Sequence, residues 1–215
     1  DSSHLYKDNT LDHVAWKNET KVGMQPLLTH FNDVDKNKEN QESYKYFDFD
    51  VLLTNPPFAG EVAEQALLEQ FSLAKGKKGK IKDKVDRQIL FLERAFDLVK
   101  AGGRIGIVLP QGIFDNSSEE DIREFIFERG RVLAVVSLAK HTFTQPKAQG
   151  TGEKTSVLFV QKWEKDEEKI EDYPIFFGVS EKSGKNSSGE IIYRKNAAGE
   201  EIIKNDKREI DHDLD

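Results

Sequence analysis

Apolar residues along the chain gather into four short runs separated by polar stretches. The first, Phe49-Asp50-Val51-Leu52-Leu53, is too short for a helix and apolar enough for a buried strand. Arg104–Pro110, Val132–Leu138 and Thr155–Val160 read the same way. Between the first two runs the apolar spacing turns helical. Val62, Ala66, Leu67 and Phe71, with Ala63 and Ala74 nearby, predict one helix. Gln88–Val99 predicts a clearer one, with Ile89, Leu92, Ala95, Phe96 and Val99 on one face. Ala101-Gly102-Gly103 ends it with glycines suited to positive φ. A strand, a helix-sized connection and a second strand imply a parallel pair with a right-handed crossover. Ile122, Phe125 and Ile126 predict a further helix, capped by Ser117 or Ser118, with Glu119, Glu120 and Asp121 in its first turn and Gly130 at its end. The polar loop His141–Lys154 has no room for a helix, so the last two runs should pair antiparallel. The layout is α/β: a parallel sheet ending in an antiparallel strand.

The flanks are less regular. Residues 1–47 are polar and weakly periodic, with a short strand at His4-Leu5-Tyr6, a turn at Asp8–Leu11 and a surface loop over Asp33–Ser43. Lys75–Lys80 alternates glycine and lysine, which cannot pack a core and should be mobile. Beyond residue 163 a charged connection leads to a strand at Pro174–Val179 and a Gly/Ser/Lys loop at Ser180–Ser188. Ile191–Tyr193 and Glu201–Ile203 predict a hairpin around Asn196–Gly199. Asp206–Asp215 should be frayed, and no internal repeat is evident.

Composition narrows the options. A chain of 215 residues suits one domain, or most of one with an appendage. Zero cysteines rule out a disulfide framework or a thiolate metal site. His4, His13 and His30 lack metal-ligand spacing, so no metal is expected. No run is apolar enough to cross a membrane and no signal-peptide pattern opens the chain, which fits a cytoplasmic protein. The chain starts at Asp1 and its only methionine is Met24, so a fragment of a longer polypeptide is expected. A net charge of −7 argues against a protein that grips nucleic acid alone.

The candidate chemistry sits where the first run stops, at Thr54-Asn55-Pro56-Pro57-Phe58. Proline fixes its own φ and pushes the preceding residue into an extended conformation, so Asn55 should be held at the carboxyl end of a strand. In open α/β sheets ligands bind there. The Asn55 side-chain carbonyl and the Pro56 main-chain carbonyl are neighbouring acceptors suited to the two hydrogens of a planar amine. Phe58 offers a face on which a base could stack. The competing reading is a strand-ending loop, with Asn55 as a turn former and Phe58 as core. Gly102, Gly103 and Gly106 do not form a dinucleotide fingerprint, because they precede a strand instead of linking a strand to a helix.

A hydrophobic strand followed by Asn-Pro-Pro-aromatic resembles motif IV of the amino-methyltransferases, which methylate adenine, cytosine or glutamine amines from S-adenosylmethionine. Phe91–Phe114, Leu138–Phe143 and Gly152–Phe159 further resemble the methylation subunit of type I restriction-modification systems, over about residues 48–163. Fused type IIG enzymes share much of this pattern. The resemblance implies the C-terminal portion of a class I (Rossmann-like) S-adenosylmethionine-dependent methyltransferase: a partial catalytic domain over 1–163, and a linker with a small hairpin-containing extension over 164–215. It implies an adenine flipped from double-stranded DNA. Asn55 and Pro56 would receive its amine, Pro57 would stiffen the loop and Phe58 would stack. Asn55 would also border the cofactor. The amine would then attack the sulfonium methyl directly, and the lack of cysteine excludes the thiolate route to ring carbons. Specificity and restriction subunits would be the partners, which accounts for the acidic charge. Lys75–Lys84 would be either a solvated linker or a basic loop reaching DNA phosphates. No Asp-x-x-x-Gly-x-Gly-like cofactor loop occurs in residues 1–54, so the chain alone should be inactive. A protein-glutamine or RNA methyltransferase and a non-catalytic assembly module are the alternatives.

Overall fold

The first apolar run forms β1 (Phe49–Thr54), yet it is not buried. In this computed structural model, which describes residues 10–12, 49–76, 79–144, 154–164, 166 and 168–214, Val51 is 57% and Leu53 76% exposed. The reason is position. Among the described residues the central sheet has the order β1-β4-β6-β5-β7, which puts β1 at its edge. The expectations for His4, His13, His30 and the 33–43 loop lie outside the described residues.

Residue contacts divide the chain into two units, Asp1–Ile105 with Gln161–Glu168, and Gly106–Val160 with Lys169–Asp215. In the first unit, β1 is followed by β2 (Glu61–Val62), which pairs antiparallel with β3 (Val85–Asp86). The helix expected over Val62–Ala74 shrinks to one turn, α1 (Gln65–Leu68). Phe71 and Ala74 are buried all the same, carried by turns beyond the helix. The buried carboxylate of Glu93 causes the break: it accepts hydrogen bonds from the Ser72 amide (2.7 Å), the Ser72 hydroxyl (2.8 Å) and the Leu73 amide (2.8 Å). Those amides are thereby satisfied without a helix. The described residues of the glycine–lysine segment, 75–76 and 79–80, are tied by backbone hydrogen bonds. Gly76 donates its amide to the Lys80 carbonyl, Gly79 to that of Gly76 and Lys82 to that of Ala74, closing a hairpin whose turn uses Gly79 at φ +74°.

Helix α2 (Arg87–Leu98) runs directly into β4 (Val99–Pro110). The strand starts five residues before the expected Arg104 and takes in Ala101-Gly102-Gly103. Gly102 does adopt positive φ (+72°). A Cβ on Gly103 would lie 3.0 Å from the Phe49 carbonyl oxygen and collide with Val99, so β1 and β4 leave no room for a side chain there. The C-terminal carbonyls of α2, which lack helical partners, receive the Lys162 ammonium: Phe96 at 2.6 Å and Val99 at 2.7 Å. Arg94, 1% exposed, donates to the Leu11 carbonyl (2.9 Å), pairs with Asp97 (3.2 Å) and lies over the Phe71 ring.

In the second unit β4 leads to α3 (Gly112–Asp115) and α4 (Glu120–Arg129). Neither Ser117 nor Ser118 caps α4; both lie in a 3₁₀ turn, and Arg123 joins the segments by donating to the Ile113 and Asn116 carbonyls. Strands β5 (Gly130–Ser137) and β6 (Thr155–Lys162) follow. The Leu138 amide bonds the Thr155 carbonyl, and the Gln111 amide bonds the Lys154 carbonyl. The start of β6 therefore meets the ends of β4 and β5, the expected antiparallel arrangement. β7 (Phe176–Val179) pairs parallel with β5 at the far edge.

The tail is not frayed. β8 (Ile203–Lys204) and β9 (Lys207–Arg208) form a hairpin, and bridges Tyr193–Ile210 and Ser183–His212 bind the segments together. A repeat missed in the sequence emerges as geometry. In Asn186–Glu190 and again in Asn196–Glu200, the asparagine side-chain oxygen accepts two amides and its amide nitrogen donates to the glutamate. Asp213 closes the module. Its carboxylate accepts the Ser180 hydroxyl (2.6 Å) and the Glu181 amide (2.7 Å), which hold it below the usual carboxylate range.

Two outcomes follow. Gly103→Ala should lower stability by about 1–3 kcal/mol through overpacking, read as a lower urea midpoint; an unchanged midpoint contradicts the close approach. Because the Asp213 carboxyl is depressed on folding, its contribution is present above the unfolded value near 3.9 and is lost as pH falls through the lower folded value. In an NMR titration Ser180→Ala should move the Asp213 carboxyl up toward about 3.9.

Candidate amine-clamp site

The end of β1 presents four consecutive side chains in different environments. Asn55 is exposed, Pro56 buried, Pro57 exposed and Phe58 half-buried. Pro56 anchors the loop in the unit while Asn55 projects from it. Neither the Asn55 carboxamide nor the Pro56 carbonyl has a hydrogen-bond partner among the described residues. Two acceptors on adjacent residues are thus left for an external donor.

The loop leaves the site through Gly60, at φ +104°, where a side chain would be strained and would press on the Arg87 guanidinium 3.2 Å away. The Arg87 amide donates to the Gly60 carbonyl (3.0 Å), tying the exit of the loop to the first residue of α2. Position is therefore held at three points: β1 before Asn55, buried Pro56, and Gly60 behind Phe58.

Some features escaped the sequence reading. Glu93 is one: it lies on the apolar face of α2 with Ile89, Leu92 and Phe96, and a carboxylate at such a position signals a buried cap. Another is the loop after β5, in the second unit. His141 has φ 76°, uncommon for a residue with a side chain. The Lys185 ammonium steadies this loop by donating to the Thr142 (3.0 Å) and Thr144 (3.2 Å) carbonyls. In the same unit a cleft of about 350 Å³, lined by Phe114, Ile126, Phe127, Leu158 and Phe177, opens beside Gln111. No cluster of potential metal ligands and no membrane-crossing helix occurs among the described residues.

Comparison with known proteins decides the family. Residues 23–209 match the family model described as N-6 DNA Methylase. The chain belongs to the N-6 DNA methylase family. The chain is 26% identical over 117 residues to the type II restriction enzyme and methyltransferase RM.Eco57I of Escherichia coli. That match covers 54% of this chain and 11% of the relative, so the chain spans about a ninth of the relative's length. The methyltransferase subunit of a type I restriction-modification system from Streptococcus thermophilus is 27% identical, with a TM-score of 0.40, over 54% of this chain and 24% of that one. A candidate class I S-adenosylmethionine-dependent methyltransferase from Listeria monocytogenes is 19% identical, with a TM-score of 0.47, over 60% of this chain and 36% of that one. The clamp lies inside the residues matched to the N-6 DNA methylase family.

Because Asn55 is exposed and makes no bond within the fold, Asn55→Ala should change stability by no more than about 0.5 kcal/mol. Equal urea midpoints for the two proteins are expected; a large loss would make Asn55 a structural residue.

Proposed function

We propose that this chain carries the target-amine half of an adenine-specific DNA methyltransferase, the methylation subunit of a type I restriction-modification system. The observation that carries the reading is the pair of acceptors, Asn55 and Pro56, that bond nothing among the described residues and follow on to half-buried Phe58 in an N-6 DNA methylase family chain.

The chemistry is that of a weak nucleophile. The exocyclic nitrogen of adenine shares its lone pair with the ring and is close to planar. Asn55 and Pro56 accept its two hydrogens, favour a more tetrahedral nitrogen and release the lone pair. Phe58 stacks on the base, a contact worth roughly 1–3 kcal/mol. The adenine reaches this site by flipping from the duplex, which costs a few kcal/mol. S-adenosylmethionine supplies the electrophilic methyl group when bound. Of the described residues, Asn55 would border it, with a carboxamide that bonds nothing among the described residues. We infer that the remaining cofactor contacts come from outside residues 1–54, so the chain alone transfers no methyl group.

In this reading residues 1–163 are the catalytic portion and 164–215 an extension. Double-stranded DNA, a specificity subunit and a restriction subunit are the partners, in the cytoplasm. The acidic balance of the chain supports a division of labour in which another subunit supplies most of the DNA grip.

The test uses the longer polypeptide that contains this chain, with labelled S-adenosylmethionine, duplex DNA and nucleoside analysis of the product. The label should appear as N6-methyladenine. Asn55→Ala should slow transfer about 10²–10³-fold, the loss typical of removing one preorganised hydrogen-bond partner of a transition state. Label on a protein glutamine or on RNA, or near-normal transfer by the variant, would overturn the reading.

A further inference from the structure

The far edge of the sheet, in the second unit, is apolar and bare. Tyr173–Ser180 carries no charge in a chain that is 33% charged. Within it β7 stands at the end of the sheet, with β5 as its neighbour among the described residues. Phe176 is 64%, Phe177 71% and Val179 72% exposed. Soluble proteins blunt an edge strand with lysine, proline, a bulge or a covering element. Between Pro174 and Ser180 there is no lysine and no proline, and the register of β7 with β5 runs without a bulge.

The register decides which backbone groups β7 offers. Ser137 stands beside Val179 in the parallel pairing, and its carbonyl accepts the Ser180 amide (2.8 Å). Backbone groups alternate sides along a strand, so Phe176, Gly178 and Ser180 turn their amides and carbonyls toward β5. Those of Phe177 and Val179 point the other way, and no partner meets them among the described residues. The bare run lies between Pro174 and Ser180, which is buried and bonded to Asp213 (2.6 Å). Its midpoint is Phe177.

A second copy fits this run. With a two-fold axis at Phe177 the two strands are antiparallel. Phe177 then faces the partner's Phe177, and Ile175 faces the partner's Val179. All of these are outward-facing positions, and residues so opposed exchange both backbone hydrogen bonds. The side chains agree. Ile175, Phe177 and Val179 line the cleft beside Phe127 of α4, and in this register they continue into the same row on the partner. On the other face Phe176 meets the partner's Gly178, where no side chain competes with its ring. Moving the axis one residue on, to Gly178, would set Phe176 against the partner's Ser180, which is buried. The four phenyl groups bring together roughly 400–700 Å². That is short of the roughly 1,200 Å² where standard interfaces begin, so the contact is reversible.

We propose that β7 is a self-association edge, through which two copies of this chain join their sheets across a two-fold axis at Phe177. The inference stands on the fold of the second unit and is independent of the methyltransferase reading.

The experiment is analytical ultracentrifugation of the longer polypeptide from about 1 to 100 μM, a range suited to a small interface. Its Phe177→Lys variant and an Ile203→Lys control, which alters an exposed residue of β8, are run beside it. The unmodified protein should dimerise reversibly. Phe177→Lys sets like charges opposite each other and should raise the Kd at least about tenfold, with an unchanged urea midpoint. The control should leave the Kd as it was. Phe177→Cys tests the same contact without adding charge. Opposed residues of a hydrogen-bonded pair have Cα atoms about 5.5 Å apart, within disulfide reach, so mild oxidation should link position 177 to 177 in the mapped peptides. Hydrogen exchange at the Phe177 and Val179 amides identifies the occupant: protection that falls as the dimer dissociates supports a second copy. Protection in a monomer would assign the edge to another segment of the longer polypeptide and overturn the proposal. A monomer with unprotected amides throughout the range, a dimer indifferent to Phe177→Lys, equal effects from the control, or a dimer without the 177–177 link would overturn it as well.

Discussion

Two consecutive prolines at the end of β1 are the constraint from which the site follows. Each has its φ set by its ring, and each restricts the residue before it. The ladder can go no further because Pro56 and Pro57 have no amide to donate, and Asn55 before them is held extended. Its carboxamide is left projecting, with the Pro56 carbonyl next to it. A planar amine needs two acceptors at a short, fixed separation, and backbone rigidity supplies that without a hydrogen-bond network. What surrounds the prolines serves to hold them: β4 through the close approach at Gly103, α2 through Arg87 and Gly60, and β6 through Lys162 on the end of α2.

Among the described residues that support comes from one side. β1 has β4 as its neighbour, and its apolar side chains Val51 and Leu53 are largely exposed. A row of exposed apolar residues on an edge strand is a feature that soluble folds avoid or cover. The sequence pattern alone reads as a buried strand, because burial of a strand depends on what stands beside it and not only on its own residues. At the far edge too, Phe176 and Phe177 of the expected strand are exposed on β7.

The order of strands and helices was legible because periodicity and connection length carry it. Ile105, Ile107 and Leu109 make β4 a central strand, and the short loop before Thr155 forces the antiparallel return of β6. At Asn-Pro-Pro-Phe the sequence showed an arrangement of acceptors, stiffness and an aromatic face, and the structure adds their exposure: Asn55 exposed, Pro56 buried, Phe58 half-buried. What escaped was set by single polar contacts. Glu93 ends α1 early by satisfying amides that a longer helix would have satisfied itself. Asp213 and the paired asparagine turns organise a tail whose composition reads as loop. Gly79 turns a lysine-rich stretch into a hairpin. Glu93 and Asp213 act on backbone groups far away in sequence, the asparagine turns and Gly79 act locally, and hydrophobic patterning records neither kind.

The central claim is that Asn55 acts as a hydrogen-bond acceptor toward an amine. Single-turnover methyl transfer by Asn55→Asp and Asn55→Ala in the longer polypeptide tests it most directly. Aspartate keeps an acceptor oxygen in the same place and alanine keeps none. The account predicts that the aspartate variant retains a measurable fraction of the rate while the alanine variant loses nearly all of it. Equal loss in both variants, or equal retention, would contradict it.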